Sequence, residues 1–92
     1  MAKEKEAKSR NNSSRVDRLA AKGRQALKKG DFDRVRRVFE QVYKTNERPE
    51  YLKIGDEIIL DVLGHSYEQL GEMDKAKESY EDAAEYYDSL GH

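Results

Sequence analysis

Apolar side chains recur through most of this chain at alternating intervals of three and four, a spacing that places them on one stripe of an α-helix. Four such stripes follow one another. Leu19, Gly23 and Ala26 form the first, and Phe32, Val35, Val38 or Phe39, and Val42 the second. Leu52, Ile59, Leu63, Tyr67 and Leu70 form the third, widened by Ile58 and Val62; Ala76, Tyr80, Ala83, Tyr87 and Leu90 form the fourth. The pattern predicts an all-α chain of four helices.

Local signals set the expected boundaries. Ser14 followed by Asp17 is a capping-box variant, predicting a first helix from about Arg15 to Lys29. Gly30 suits a left-handed C′ position and Asp31 an N-cap, so Gly-Asp makes a tight turn into the second helix, which ends around Thr45-Asn46. The third helix is expected from Pro49 to Leu70, with Gly55-Asp56 as either a kink or a restart. Gly71 closes it, the fourth begins near Asp74, and Gly91 is a natural stop. Residues 1–13 carry no apolar side chain larger than Ala after Met1, so ordering them recovers almost no burial, and they read as a disordered basic tail ahead of a domain over 14–92.

Composition adds three constraints. The chain is 36% hydrophobic and 40% charged, but the helical clustering of its apolar residues predicts a folded domain. At 92 residues it is one small unit with a small core. With no cysteine there is neither a disulfide framework nor a thiolate zinc site, and the absence of an apolar leader or long apolar run makes a cytoplasmic protein with no membrane span the expectation. Charge is polarised: residues 1–30 hold ten Lys and Arg against three acids (net +7), and residues 31–92 hold eight against sixteen (net −8).

The order Leu60, Leu63-Gly64, Tyr67, Gly71, Ala76, Tyr80, Ala83 is nearly repeated by Leu19, Gly23, Ala26, Gly30, Phe32, Val35, Phe39, Val42. This self-similar order of large, small and aromatic residues resembles the tetratricopeptide repeat. Gly30 and Gly71 lie 41 residues apart, longer than the usual repeat of about 34, with the extra length in Lys44 to Asp56. The resemblance covers residues 16–90 and implies two stacked antiparallel hairpins, repeat 1 over about 14–46 and repeat 2 over about 49–91, in an α-α superhelix. Gly64, with Ala76 and Ala83, marks the close crossing of the second hairpin, while Tyr67 and Tyr80 fill the space beside it as core. The first copy, with Lys22 at a large apolar position and Ala26 at an aromatic one, resembles a terminal unit facing solvent.

What the resemblance implies for function is a binding scaffold with no chemistry. Ligands of the family lie on the first helix of each hairpin, on the face turned from the second; carried over, that face is Asp17, Ala20, Arg24, Leu27 and Lys28, then Ile58, Asp61, His65, Glu68 and Gln69. Basic at one end and acidic at the other, it suits an extended peptide of mixed charge or a partner helix. The family's terminal-carboxylate clamp maps to Ala20, Arg24, Val62 and His65, of which only Arg24 has the chemistry, so that specialised function is not expected. For each residue of the face, a plain solvated helix surface is the competing reading.

Tyr86, Tyr87 and Leu90 have no following helix to cover them: either they pack back, Tyr87 onto Leu70 and Leu63, or they form an apolar edge that invites a partner or a second copy. Homo-oligomerisation through this last helix is therefore an alternative function, and nucleic-acid association through the basic N-terminal region another, weakened by its lack of aromatic residues. His65 with Asp61 looks like half a metal site, but no second histidine lies nearby, so neither metal nor other cofactor is expected. None of the serines adjoins a base suited to a nucleophilic triad, and no enzymatic activity is expected.

Overall fold

The computed structural model describes residues 2–45, 47–49 and 54–90, with side chains described from Arg15 onward within those ranges. It contains four helices, α1 (Ala2–Lys29), α2 (Phe32–Lys44), α3 (Asp56–Gln69) and α4 (Met73–Ser89), and no strand among the described residues. The two hairpins, α1–α2 and α3–α4, are joined by packing of α2 on α3; neither α1 with α3 nor α2 with α4 is in direct backbone proximity.

Both hairpin turns use the same chemistry. Gly30 and Gly71 adopt φ of 76° and 80°, which a residue with a Cβ rarely tolerates. Around each, two amides turn back to orphan carbonyls of the preceding helix: Gly30 N to Leu27 O (3.1 Å) and Asp31 N to Ala26 O (2.9 Å), then Gly71 N to Glu68 O (3.1 Å) and Glu72 N to Tyr67 O (2.8 Å). These are Schellman caps. The Asp31 carboxylate accepts from Arg34 N at 3.3 Å, as expected for an N-cap.

Two boundaries differ from the sequence expectation. The first helix starts at Ala2 instead of near Arg15 and runs straight through Ser14, so no capping box forms there. Low apolar content removes burial but not helix propensity, and the Ala, Lys and Glu residues of this stretch are strong helix formers. Side chains of residues 2–14 lie outside the described residues. The third helix starts at Asp56 instead of Pro49, with Gly55 extended at its N-cap (φ −99°, ψ 177°), so Gly55-Asp56 is a restart. Ile54 N closes a turn onto Pro49 O at 3.3 Å, and both residues are buried; Tyr51 and Leu52 lie outside the described residues.

Arg48 holds this connection together. Its guanidinium donates to the carbonyls of Val42 (3.1 Å), Tyr43 (3.2 Å), Thr45 (2.6 Å) and Glu47 (3.0 Å), and its Nε pairs with the Asp56 carboxylate. One side chain thus satisfies the end of α2 and ties it to the start of α3.

The core is a continuous stripe. α1 contributes Val16, Ala20 and Ala26, α2 contributes Val35, Val38, Phe39 and Val42, and α3 contributes Ile59, Leu63 and Tyr67. α4 adds only small side chains to the buried set, Ala76, Ser79 and Ala83. Close approach replaces bulk: a Cβ on Gly64 would lie 2.7 Å from Tyr80 Cε1, and one on Gly23 would lie 2.6 Å from Phe39 Cε2. The two glycine–aromatic contacts are 41 residues apart on both partners, the same interval as the turn glycines. They differ in exposure. Phe39 is 1% exposed and Tyr80 is 38% exposed, so Tyr80 covers Gly64 but is not the enclosed core residue the sequence suggested.

That difference sets an asymmetry in glycine replacement. Gly23→Ala should cost about 1–2 kcal/mol, since overpacking against an immobile ring outweighs the gain in helix propensity. Gly64→Ala should fall within about 0.5 kcal/mol of wild type, because the half-open Tyr80 ring can tilt outward. Urea unfolding followed by circular dichroism distinguishes the two; equal losses would contradict the packing account.

Candidate functional site

The expected binding face on α3 exists as one stripe. Ile58, Asp61, His65, Glu68 and Gln69 follow the three-and-four spacing; Ile58 is 40% exposed, His65, Glu68 and Gln69 are exposed, and Asp61 is half-buried. The stripe is tied down at both edges. On the α4 side, Asp61 Oδ2 accepts the Tyr87 hydroxyl at 2.9 Å and Glu68 Oε1 accepts the Tyr80 hydroxyl at 3.1 Å. On the α2 side, His65 meets Phe32 edge-to-face, with ring centroids 5.3 Å apart and planes at 80°.

The corresponding face on α1 is only partly as expected. Arg24 and Lys28 are exposed, and Leu27 is half-buried against the core. Ala20 is fully buried: it follows Val16 by one turn on the stripe that faces the core, so it is not available to a ligand. Asp17 is half-buried.

The two candidate edge tyrosines turn inward. Tyr87 does pack back on α3, but its contact is Asp61; an antiparallel hairpin sets the end of α4 beside the start of α3, whereas Leu70 sits at the other end and is 39% exposed. Tyr86 lies beside Asp56 of α3 and Tyr43 of α2, and both raise its pKa. Both rings are half-buried. The exposed apolar side chains of this hairpin are instead Met73, Tyr80, Leu70, Ile58 and Leu90.

Sequence reasoning missed the residues that make these ties: Phe32 as the partner of His65, Glu40 as acceptor of the Tyr67 hydroxyl, and Arg48. Phe32–His65 and Glu40–Tyr67 join positions far apart in sequence, and the bonds of Arg48 run across an irregular connection, so no helical spacing signals any of them. A cavity of about 670 Å³ also lies away from the expected face, between α1 and the end of α2, lined by Arg15, Arg18, Lys22, Leu19 and Gln41 among others. Among the described residues no three potential metal ligands converge, and no helix is long and apolar enough to cross a membrane.

Residues 59–90, which span the stripe after Ile58 and all of α4, match the family model of the tetratricopeptide repeat. This segment is similar to one tetratricopeptide repeat. The match covers the second hairpin, and the first shares its Schellman turn and its glycine–aromatic contact at the 41-residue interval. No curated protein and no solved structure gives a significant match to the chain. Tetratricopeptide repeats mediate protein–protein interaction.

Hydroxyl donation to carboxylates raises the tyrosine pKa values around the repeat. Asp56 and then Tyr43 push Tyr86 up from 10.0 to about 12, the bond to Asp61 raises Tyr87, and burial followed by the Glu68 bond raises Tyr80. Burial and then Glu40 raise Tyr67 most. A phenol whose folded pKa exceeds its unfolded value adds stability that is complete below the unfolded pKa and lost as pH rises through the folded one. The urea midpoint should therefore hold steady up to about pH 10 and fall as Tyr86 ionises near 12. A Tyr86→Phe, Tyr87→Phe variant should show a shallower alkaline fall than wild type.

Proposed function

We propose that the chain is a non-enzymatic protein-interaction scaffold that takes a peptide or partner helix on the open faces of α1 and α3. The observation that carries this reading is the Ile58–Gln69 stripe, whose side chains are held from two sides by Tyr87, Tyr80 and Phe32. A face ordered before binding loses less conformational freedom when a ligand docks. Its chemistry is mixed. Ile58 offers an apolar anchor, Asp61 and Glu68 present acid, and Arg24 and Lys28 on α1 present base, so a ligand carrying both signs around an apolar residue fits best.

Peptides selected from a displayed random library on the intact chain test the proposal. Selected peptides should combine an apolar anchor with charges of both signs, and an Ile58→Asp, Arg24→Glu variant with an unchanged thermal midpoint should bind them at least about tenfold more weakly. Equal affinity for wild type and variant would overturn the assignment of the face.

A further inference from the structure

The 41-residue interval relates more than the two turns. Shifted by it, the α2 residues Phe32, Arg36, Phe39, Glu40 and Tyr43 become Met73, Lys77, Tyr80, Glu81 and Ala84 on α4. Two of these α2 residues meet α3: Phe32 packs on His65, and Glu40 takes the Tyr67 hydroxyl through Oε2 while its Oε1 pairs with Arg36 at 3.3 Å; Phe39 lies on Gly23 of its own hairpin, as Tyr80 does on Gly64. On α4 the same five positions line an open, predominantly apolar groove of about 550 Å³, together with Glu68 and Ala76. Met73 is 57% exposed and Tyr80 38%; among the described residues α3 packs along α4, and Tyr43 of α2 approaches α4 at Tyr86, away from this groove. The register found in the sequence and the groove found in the structure thus coincide independently, and the Arg36–Glu40 spacing recurs as Lys77–Glu81.

We infer that this α4 groove is a second docking site, which receives an amphipathic helix of a partner protein in the way α2 receives α3. The α2–α3 interface specifies the ligand. On α3, Ile59 and Leu63, one turn apart, are buried, and Tyr67 one turn further on donates to Glu40. The partner helix therefore presents large aliphatic residues at i and i+4 and a hydrogen-bond donor at i+8 that faces Glu81. No described helix of a second copy offers this pattern. The α1 positions in register with Ile59 and Leu63 are Arg18 and Lys22, both exposed and charged, and the stripe of α3 is already buried in its own core. The site shares only Glu68 with the α3 stripe, so it stands or falls separately from that face.

The α3 segment itself, as a capped synthetic peptide of residues 56–69, is the probe. Added to the isotopically labelled full chain, it should shift the amide resonances of Met73, Lys77, Glu81 and Ala84 saturably. An Ala84→Glu variant, altered at an exposed position and with unchanged circular dichroism, should weaken the peptide at least about tenfold. A peptide with Phe in place of its tyrosine should bind several-fold more weakly, whereas Ile58→Asp in the chain should leave binding unchanged. Three results overturn the inference: no shifts up to about 1 mM peptide, shifts confined to Phe32, Val35 and Phe39 through exchange with the chain's own α3, or sedimentation showing that the wild type forms a dimer which Ala84→Glu dissolves.

Discussion

The architecture depends on two places where an aromatic ring lies directly on a helix backbone, Phe39 on Gly23 and Tyr80 on Gly64. A glycine in mid-helix is normally a cost, and here it is offset because removing the Cβ lets the paired helix approach until the ring covers main chain. The consequence reaches every other element. Once the crossings are set, turns as short as Gly-Asp and Gly-Glu suffice to join the helices, and the same two-amide cap closes both. The hairpins therefore share their turn and their glycine–aromatic crossing despite having few side chains in common.

They are not copies in how they are held. In the first hairpin the ring is enclosed and α2 buries Val35, Phe39 and Val42 between two neighbours, so apolar packing dominates. In the second, α4 buries only Ala76, Ser79 and Ala83, and its larger residues act through their polar ends: Tyr80 to Glu68 and Tyr87 to Asp61, with Tyr86 beside Asp56. These bonds fix the angle of α4 and, because Asp61 and Glu68 belong to the α3 stripe, they also order the stripe's side chains. The packing of α4 and the order of the α3 stripe rest on the same contacts.

An open-ended stack follows from the same geometry. Each second helix has one face for its own hairpin and another for the next, and α2 uses both while α4 uses one. Polarity is distributed to match: the outward positions of α1 are Arg18, Lys22 and Gln25, which water solvates well, whereas α4 turns Met73, Tyr80 and Ala84 outward. The outward face of α1 is polar, and that of α4 retains the apolar chemistry of an interior surface.

The periodicity, the two left-handed glycines and the small residues at the crossings are local properties, and they determined the helix count, the hairpin pairing, the family resemblance and the stripe from Ile58 to Gln69. Propensity without burial was misread in the basic N-terminal stretch, since a search for apolar stripes is blind to helix built from Ala, Lys and Glu. Only the tertiary structure decided that Arg48 closes the linker, that Ala20 is sealed inside, that Tyr86 and Tyr87 point back to carboxylates, and that Tyr80 stays half open. The division has a physical reason: a helix stripe or a turn is set by neighbours within about four residues, whereas Tyr87–Asp61 and Tyr67–Glu40 join positions 26 and 27 residues apart whose meeting depends on how whole helices cross.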